Sequence, residues 1–133
     1  MALRARDDLR RELLSAVRRE LAVLPDRKDY PEILLAWLVE AAEGMGAKEG
    51  IVYAGRKERR HLTPDFLKKA EAASGVKLSL AEEGKSGSGY FSSVHRGVIV
   101  SDADGRIVFD NSIDARMVRM ERSLRRLIDR ELQ

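Results

Sequence analysis

The residues able to do chemistry in this chain are few and poorly grouped. Glu83-Gly84-Lys85-Ser86 holds a Gly-Lys-Ser triplet behind an apolar stretch, the ending of a phosphate-binding loop. Such a loop needs a glycine five positions before Gly84 and a helix immediately after it, so that backbone amides and the helix N-terminus converge on phosphate. Ser79 stands at that earlier position, and more glycines followed by Tyr90 and Phe91 stand where the helix belongs. Asp102-Ala103-Asp104-Gly105 has the opening of a calcium loop, but the twelfth position, which must supply a bidentate glutamate, is Ile113. His61 and His95 are the only histidines, far apart, with no cysteine and no carboxylate at a metal-ligand spacing. No Ser-His-Asp order or paired-carboxylate pattern supports general-base work by either. These residues read as a surface loop, turn aspartates and satisfied polar histidines. No catalytic, cofactor or metal set is expected.

Asp110-Asn111-Ser112 carries more information. It follows the apolar run Ile107-Val108-Phe109 and precedes a long charged helical pattern. Asn and Ser are strong helix N-caps. Asp114 in the first turn complements the helix dipole, and Arg116 is positioned to pair with Asp110 or Asp114. Upstream, Gly97-Val98-Ile99-Val100-Ser101 and Ile107-Val108-Phe109 flank the Asp-Gly turn, a hairpin pattern in which Gly105 supplies the positive φ and the aspartates satisfy turn amides.

The elements that must position these residues follow from periodicity. Residues 3–24 predict a helix with Leu9, Leu13, Val17 and Leu21 at spacings of four, Leu14 alongside, and Pro25 as its stop. The apolar stripe is narrow and the other faces are charged, which suits a coiled-coil seam or a surface helix packed on its own domain. Asp29-Tyr30-Pro31-Glu32 opens a second helix with an acidic cap, a proline in the first turn and a glutamate three residues on. Its apolar face includes Trp37, expected in the core, and Gly44-Met45-Gly46 ends it. Gly50–Ala54 predicts a strand and residues 55–61 a charged connector. Thr63-Pro64-Asp65 opens a third helix closed by Gly75, and residues 76–81 alternate as a strand with one buried face. Residues 82–93 read as a polar, glycine-rich loop. The last helix runs from Ser112 to about Leu132. The fold class expected is α+β, a mixed four-stranded sheet packed with helices and preceded by a coiled-coil-like N-terminal helix. The division expected is residues 1–25 as a helical strut and 26–133 as a globular unit.

Composition sets the outer bounds. Hydrophobic residues make up 44% and charged residues 35%, with aromatics at only 5%, so the core must be aliphatic. Net charge is +3, carried by the two terminal helices, while residues 29–111 hold 11 basic and 13 acidic groups. Interspersed signs fit a solvated or coiled-coil surface rather than a nucleic-acid face, and Tyr53, Tyr90 and Phe91 are too scattered to stack bases. With no cysteine there is no disulfide or thiolate chemistry. No apolar run reaches the roughly 20 residues of a membrane span, and the N-terminus lacks the apolar core of a secretory signal. A soluble cytoplasmic protein is expected.

The hairpin, the Asp-Asn pair and the helix after it closely resemble the C-terminal signature of the E subunit of archaeal and vacuolar-type (A/V-type) rotary ATPases. The resemblance rests on Gly97-Val98 opening the hairpin, Asp104-Gly105 at its turn, Asp110-Asn111, and the acidic-Ala-Arg triplet Asp114-Ala115-Arg116. Asp29-Tyr30-Pro31-Glu32-Ile33-Leu34 and Glu40-Ala41-Ala42 extend it upstream, so that it covers roughly residues 5–131. It implies a non-catalytic peripheral-stalk subunit of a proton- or sodium-translocating ATPase or ATP synthase, without cofactor. Residues 1–25 would end the stalk coil, with Leu9, Leu13, Val17 and Leu21 as the seam to a long-helix partner of the G or H type. Residues 26–133 would grip the catalytic head, mainly its B subunit and also A, with peripheral membrane association through the complex. The adaptors of flagellar and type III secretion export ATPases share the helix-plus-head layout and form the alternative. The Asp-Asn and Ala-Arg pattern favours the rotary ATPase family.

Overall fold

The computed structural model describes residues 3–82 and 96–131. Helix α1 spans Leu3–Val23 and runs into a short 3-10 turn, Leu24–Asp26, where Pro25 interrupts it. Helix α2 spans Tyr30–Met45, followed by strand β1 (Glu49–Ala54), the one-turn helix α3 (Arg56–Arg59), helix α4 (Pro64–Ser74) and strand β2 (Lys77–Leu80). Strands β3 (Gly97–Ser101) and β4 (Val108–Ser112) form the hairpin, and helix α5 (Ile113–Glu131) ends the described chain. The α+β architecture with a mixed four-stranded sheet is the one expected from the sequence.

The sheet order is β2-β1-β3-β4. Strand β2 lies parallel to β1 across the helical crossover, and β1–β3 and β3–β4 are antiparallel. Register assigns the faces. Val52 stands opposite Val100, and Val100 opposite Phe109, so all three share one face. Ala54, Val98 and Asn111 share that face one step along. Helices α2 and α4 cover it, and Tyr30, Leu34, Leu38, Val52, Val98 and Val100 are among its fully buried residues. Trp37 is in this core, as expected. In β2, Leu78 is buried between exposed Lys77 and Ser79, the one-sided pattern read from the alternation.

The remaining helix packing is between the two terminal elements. α1 lies against α5. Arg10 Nη2 sits 3.1 Å from Asp129 Oδ1 near the end of α5, and Arg96, whose carbonyl accepts from Ile113 N at the start of α5, donates to Ala22 O near the end of α1. The two helices are therefore antiparallel.

Three local expectations need correction. The charged connector contains α3, because Glu58 is turned inward and fully buried rather than solvated. Asp29 occupies the N-cap of α2 without capping it: its carboxylate accepts from Arg27 Nε and Nη2 at 3.0 and 2.9 Å. Strand β4 does not stop at Phe109 but continues to Ser112, since pairing with β3 carries on through Gly97↔Ser112. Thr63 and Gly75 act as read: Thr63 Oγ1 accepts from Phe66 N, and Gly75 closes α4.

Candidate functional site

Two of the signature residues, Asn111 and Arg116, meet at one buried amide. Because β4 extends past Phe109, Asn111 is a strand residue pointing into the α2 face, not a helix cap. A buried primary amide costs free energy unless its two donor hydrogens and two acceptor lone pairs are met. All four are. Nδ2 donates to Trp37 O at 2.8 Å and to Glu40 Oε1 at 3.2 Å, both on α2. Oδ1 accepts from Arg116 Nη1 at 3.0 Å and from Arg119 Nη2, both on α5. One side chain on the sheet thus joins the two helices that flank it.

The surrounding groups reinforce this hub. Arg116 Nη1 also pairs with Glu40 Oε1 at 3.0 Å, and its guanidinium lies 4.6 Å from the Trp37 ring centroid. Arg119 donates to Asp110 O at 3.0 Å and lies over the Phe109 ring. The helix cap is Ser112, whose Oγ accepts from Ala115 N at 3.2 Å. Asp110 Oδ1 accepts from Ser112 N at 2.9 Å. Arg116 bonds to Glu40 and Asn111 and not to Asp114. The reason is geometric: Asp114 stands exposed in the first turn, whereas Arg116 points back across Asn111 to α2.

Both signature glycines have structural tasks. Gly97 has φ +88°, and a Cβ there would meet Asn111 O and Ser112 Cα at 2.8 Å and Ile113 N at 3.0 Å. Only glycine fits where β3 passes the β4–α5 junction. Gly105 closes the hairpin turn at φ +72°, its amide donating to Asp102 O. Asp102 Oδ1 accepts from Arg106 N and Ile107 N at 2.8 and 3.2 Å, so Asp102 is the turn-stabilising aspartate and Asp104 stays exposed.

One buried group has no counterpart among the residues singled out from sequence. Glu58 is fully buried in α3; Tyr30 Oη donates to its Oε1 at 3.1 Å, while Oε2 has no hydrogen-bond partner among the described residues. Burial pushes the Glu58 carboxyl above its usual range, against the opposing pull of the Gly97 amide and the Tyr30 hydroxyl. The Tyr30 hydroxyl is raised as well, first by burial and then by Glu58. His61 meets the Tyr30 ring edge-on at 6.1 Å. Nothing in the run Arg56-Lys57-Glu58-Arg59-Arg60 marks its single acid as buried; the signal is only that one acid sits among four bases.

On α1 the four expected seam residues divide. Leu21 packs against the core, Leu9 and Val17 are half-buried, and Leu13 is 37% exposed. Leu14, beside the expected stripe, is the buried residue of this helix. Leu3, Val118 and Leu127 add exposed apolar positions on α1 and α5, at 71%, 50% and 45%. Among the described residues, no group of three or more His, Cys, Asp or Glu side chains is placed to hold a metal ion. No described helix is long and apolar enough to cross a membrane. His95 and the Gly84-Lys85-Ser86 loop lie outside the described residues.

The saturated amide joins the sheet to α2 and α5, and α1 and α5 carry exposed apolar positions. The chain matches over residues 1–133 the family described as ATP synthase (E/31 kDa) subunit, and it belongs to that family, the E subunits of archaeal and vacuolar-type ATPases. It is 33% identical over 130 residues to the A-type ATP synthase E subunit of Thermococcus gammatolerans, covering 98% of this chain and 61% of that protein. It is 30% identical over 119 residues to an A-type ATP synthase E subunit of Methanospirillum hungatei, covering 90% and 55%. It is 29% identical over 133 residues to the corresponding E subunit of Thermococcus kodakarensis, covering 98% and 62%. The chain thus spans about 60% of the length of these relatives.

Proposed function

We propose that this chain is the head-binding part of a peripheral stalk: a non-catalytic stator component that links the A/B head of a rotary ATPase or ATP synthase to its membrane sector and resists rotor torque. Residues 1–25 form the end of the stalk coil and residues 26–133 the docking unit. A long-helix partner of the G or H type lies along α1, and the B subunit, with A, receives the globular end. The complex keeps the chain peripheral to the membrane on the cytoplasmic side.

The observation that carries this reading is the α1/α5 pair. Leu14, Leu21 and Ile128 are buried or packed inward, which joins α1 to the body, while Leu13, Val118 and Leu127 stay open on the outside. Met120 and Leu127, seven residues apart on one face of α5 and set among charged residues, are apolar positions that suit a third helix. The hub at Asn111 supplies the other requirement, a rigid junction between that helical strut and the sheet. Affinity capture from gently extracted membranes of the native host tests the reading. Recovery of the A and B subunits with a second long-helix protein supports it. Recovery of an export ATPase instead replaces it with an adaptor role.

A further inference from the structure

Among the described residues both outer edges of the sheet are engaged by side chains, and Asp110 of the family signature takes part at one of them. We propose that Asp110 and Arg119 at one edge, and Glu71 and Ser74 at the other, form an edge guard that keeps this sheet from pairing with strands of other molecules, so that partners bind through side-chain surfaces rather than by adding a strand.

The direction of each backbone group follows from the ladder. Between β3 and β4 the bonds Asp102 N to Ile107 O and Ile113 N to Arg96 O fix the alternation. Residues 107, 109, 111 and 113 bond inward to β3, and Val108, Asp110 and Ser112 present their N–H and C=O groups to the outer edge. Ser112 N is taken at 2.9 Å by Asp110 Oδ1, and Asp110 O at 3.0 Å by Arg119 Nη1 from α5. At the opposite edge, Lys77 N and Ala81 N bond inward to Lys48 O and Val52 O, which turns the amides of Val76 and Leu78 outward. Leu78 N is taken at 3.2 Å by Glu71 Oε2 from α4, and Val76 N at 3.2 Å by Ser74 Oγ.

An unpaired edge is a template for another chain, and on these short edge strands the engaged groups, Ser112 N and Asp110 O on β4 and Leu78 N on β2, break the run of free backbone groups that a template needs. Here the blocking groups come from three different elements, α4, α5 and β4 itself. The same Arg119 that meets Asn111 closes the edge, so docking of the last helix and closure of the sheet are one event. For a chain that also carries open apolar helix positions, this separates the surface meant for partners from the surface that would pair with any strand. The guard acts in the same way whatever complex the chain joins.

The test uses the full chain. Asp110→Ala with Arg119→Ala opens the β4 edge; Glu71→Ala opens the β2 edge; Asp110→Asn and Glu71→Gln keep an acceptor oxygen in place. Amide hydrogen exchange read by NMR should quicken about fivefold or more at Ser112 in the first variant and at Leu78 in the second, the loss of one hydrogen bond. Sedimentation over a concentration series should show stronger self-association than the parent in both, and parental behaviour in the conservative variants. If the double variant fails to fold, Glu71→Ala decides alone. A folded open-edge variant with unchanged exchange at the freed amide and unchanged association overturns the proposal.

Discussion

Replacing Gly97 by alanine should cost far more than replacing Gly75, although both have nearly the same backbone conformation. Their φ angles are +88° and +74°. An L-residue in that region costs about 1–2 kcal/mol from its Cβ meeting its own backbone. At Gly75 no other described atom lies within 4 Å of the added carbon, so that is the whole effect. At Gly97 the new Cβ meets Asn111 O and Ser112 Cα at 2.8 Å and Ile113 N at 3.0 Å. These are backbone atoms of the β4–α5 junction, not the ends of pliable side chains. Relief requires moving that junction, which lengthens the 3.1 Å bond from Ile113 N to Arg96 O, worth about 1 kcal/mol. Overpacking against a fixed backbone adds about 1–3 kcal/mol. Gly97→Ala should therefore lose about 3–6 kcal/mol, a large share of the roughly 5–15 kcal/mol typical of a domain. Urea unfolding followed by far-ultraviolet circular dichroism measures both variants against the parent. A Gly97→Ala loss no more than about 1 kcal/mol beyond that of Gly75→Ala would refute this account of the junction.

Three further outcomes are expected. Asn111→Ala removes four hydrogen bonds and leaves two guanidinium groups facing a void, so it should lower stability by about 2–4 kcal/mol in the same urea assay. The folded-state pKa of Glu58 is raised, so its contribution is fully present below the ordinary glutamate value of 4.5 and is lost as pH rises through the folded value. Unfolding midpoints of the parent should accordingly fall with pH above 4.5, and Glu58→Gln should flatten that fall; parallel curves for the two proteins would contradict the assignment. Leu14→Ala should cost about 2–3 kcal/mol of stability, whereas exposed Leu13→Glu should leave stability within about 0.5 kcal/mol and weaken capture of the long-helix partner in a pull-down.

Periodicity and turn chemistry make most of the fold legible. The alternation through Val76–Ala81, the Thr63 cap, the Gly75 stop and the Asp-Gly turn are local signals, and local interactions enforce them in the structure. Asn111 reads as a cap in the sequence because a cap and a buried strand amide draw on the same residue types. What decides between them is the helix that supplies Trp37 O and Glu40, seventy-odd residues away in sequence. Arg116 reaches a distant carboxylate, Glu40, for the same reason, while the nearby Asp114 stays exposed. Glu58 leaves no mark because burial of an acid among bases is a tertiary event with no periodic trace. For Gly97, the resemblance marks the position and the structure supplies its cause, the lack of space beside the β4–α5 junction.

The antiparallel course of α1 and α5 also determines how the molecule bears load. The start of α1 and the end of α5 lie side by side, tied by Arg6 and Arg10 to Asp129, and the opposite ends of both helices root in the sheet at Ala22, Arg96 and Ile113. A pull on the start of α1 directed away from the sheet strains the helix–helix contacts in shear, all together, instead of peeling them apart one at a time. The strain then reaches the sheet through both helices, at Leu21 and at Ile113, as a tie rod anchored by two bolts does.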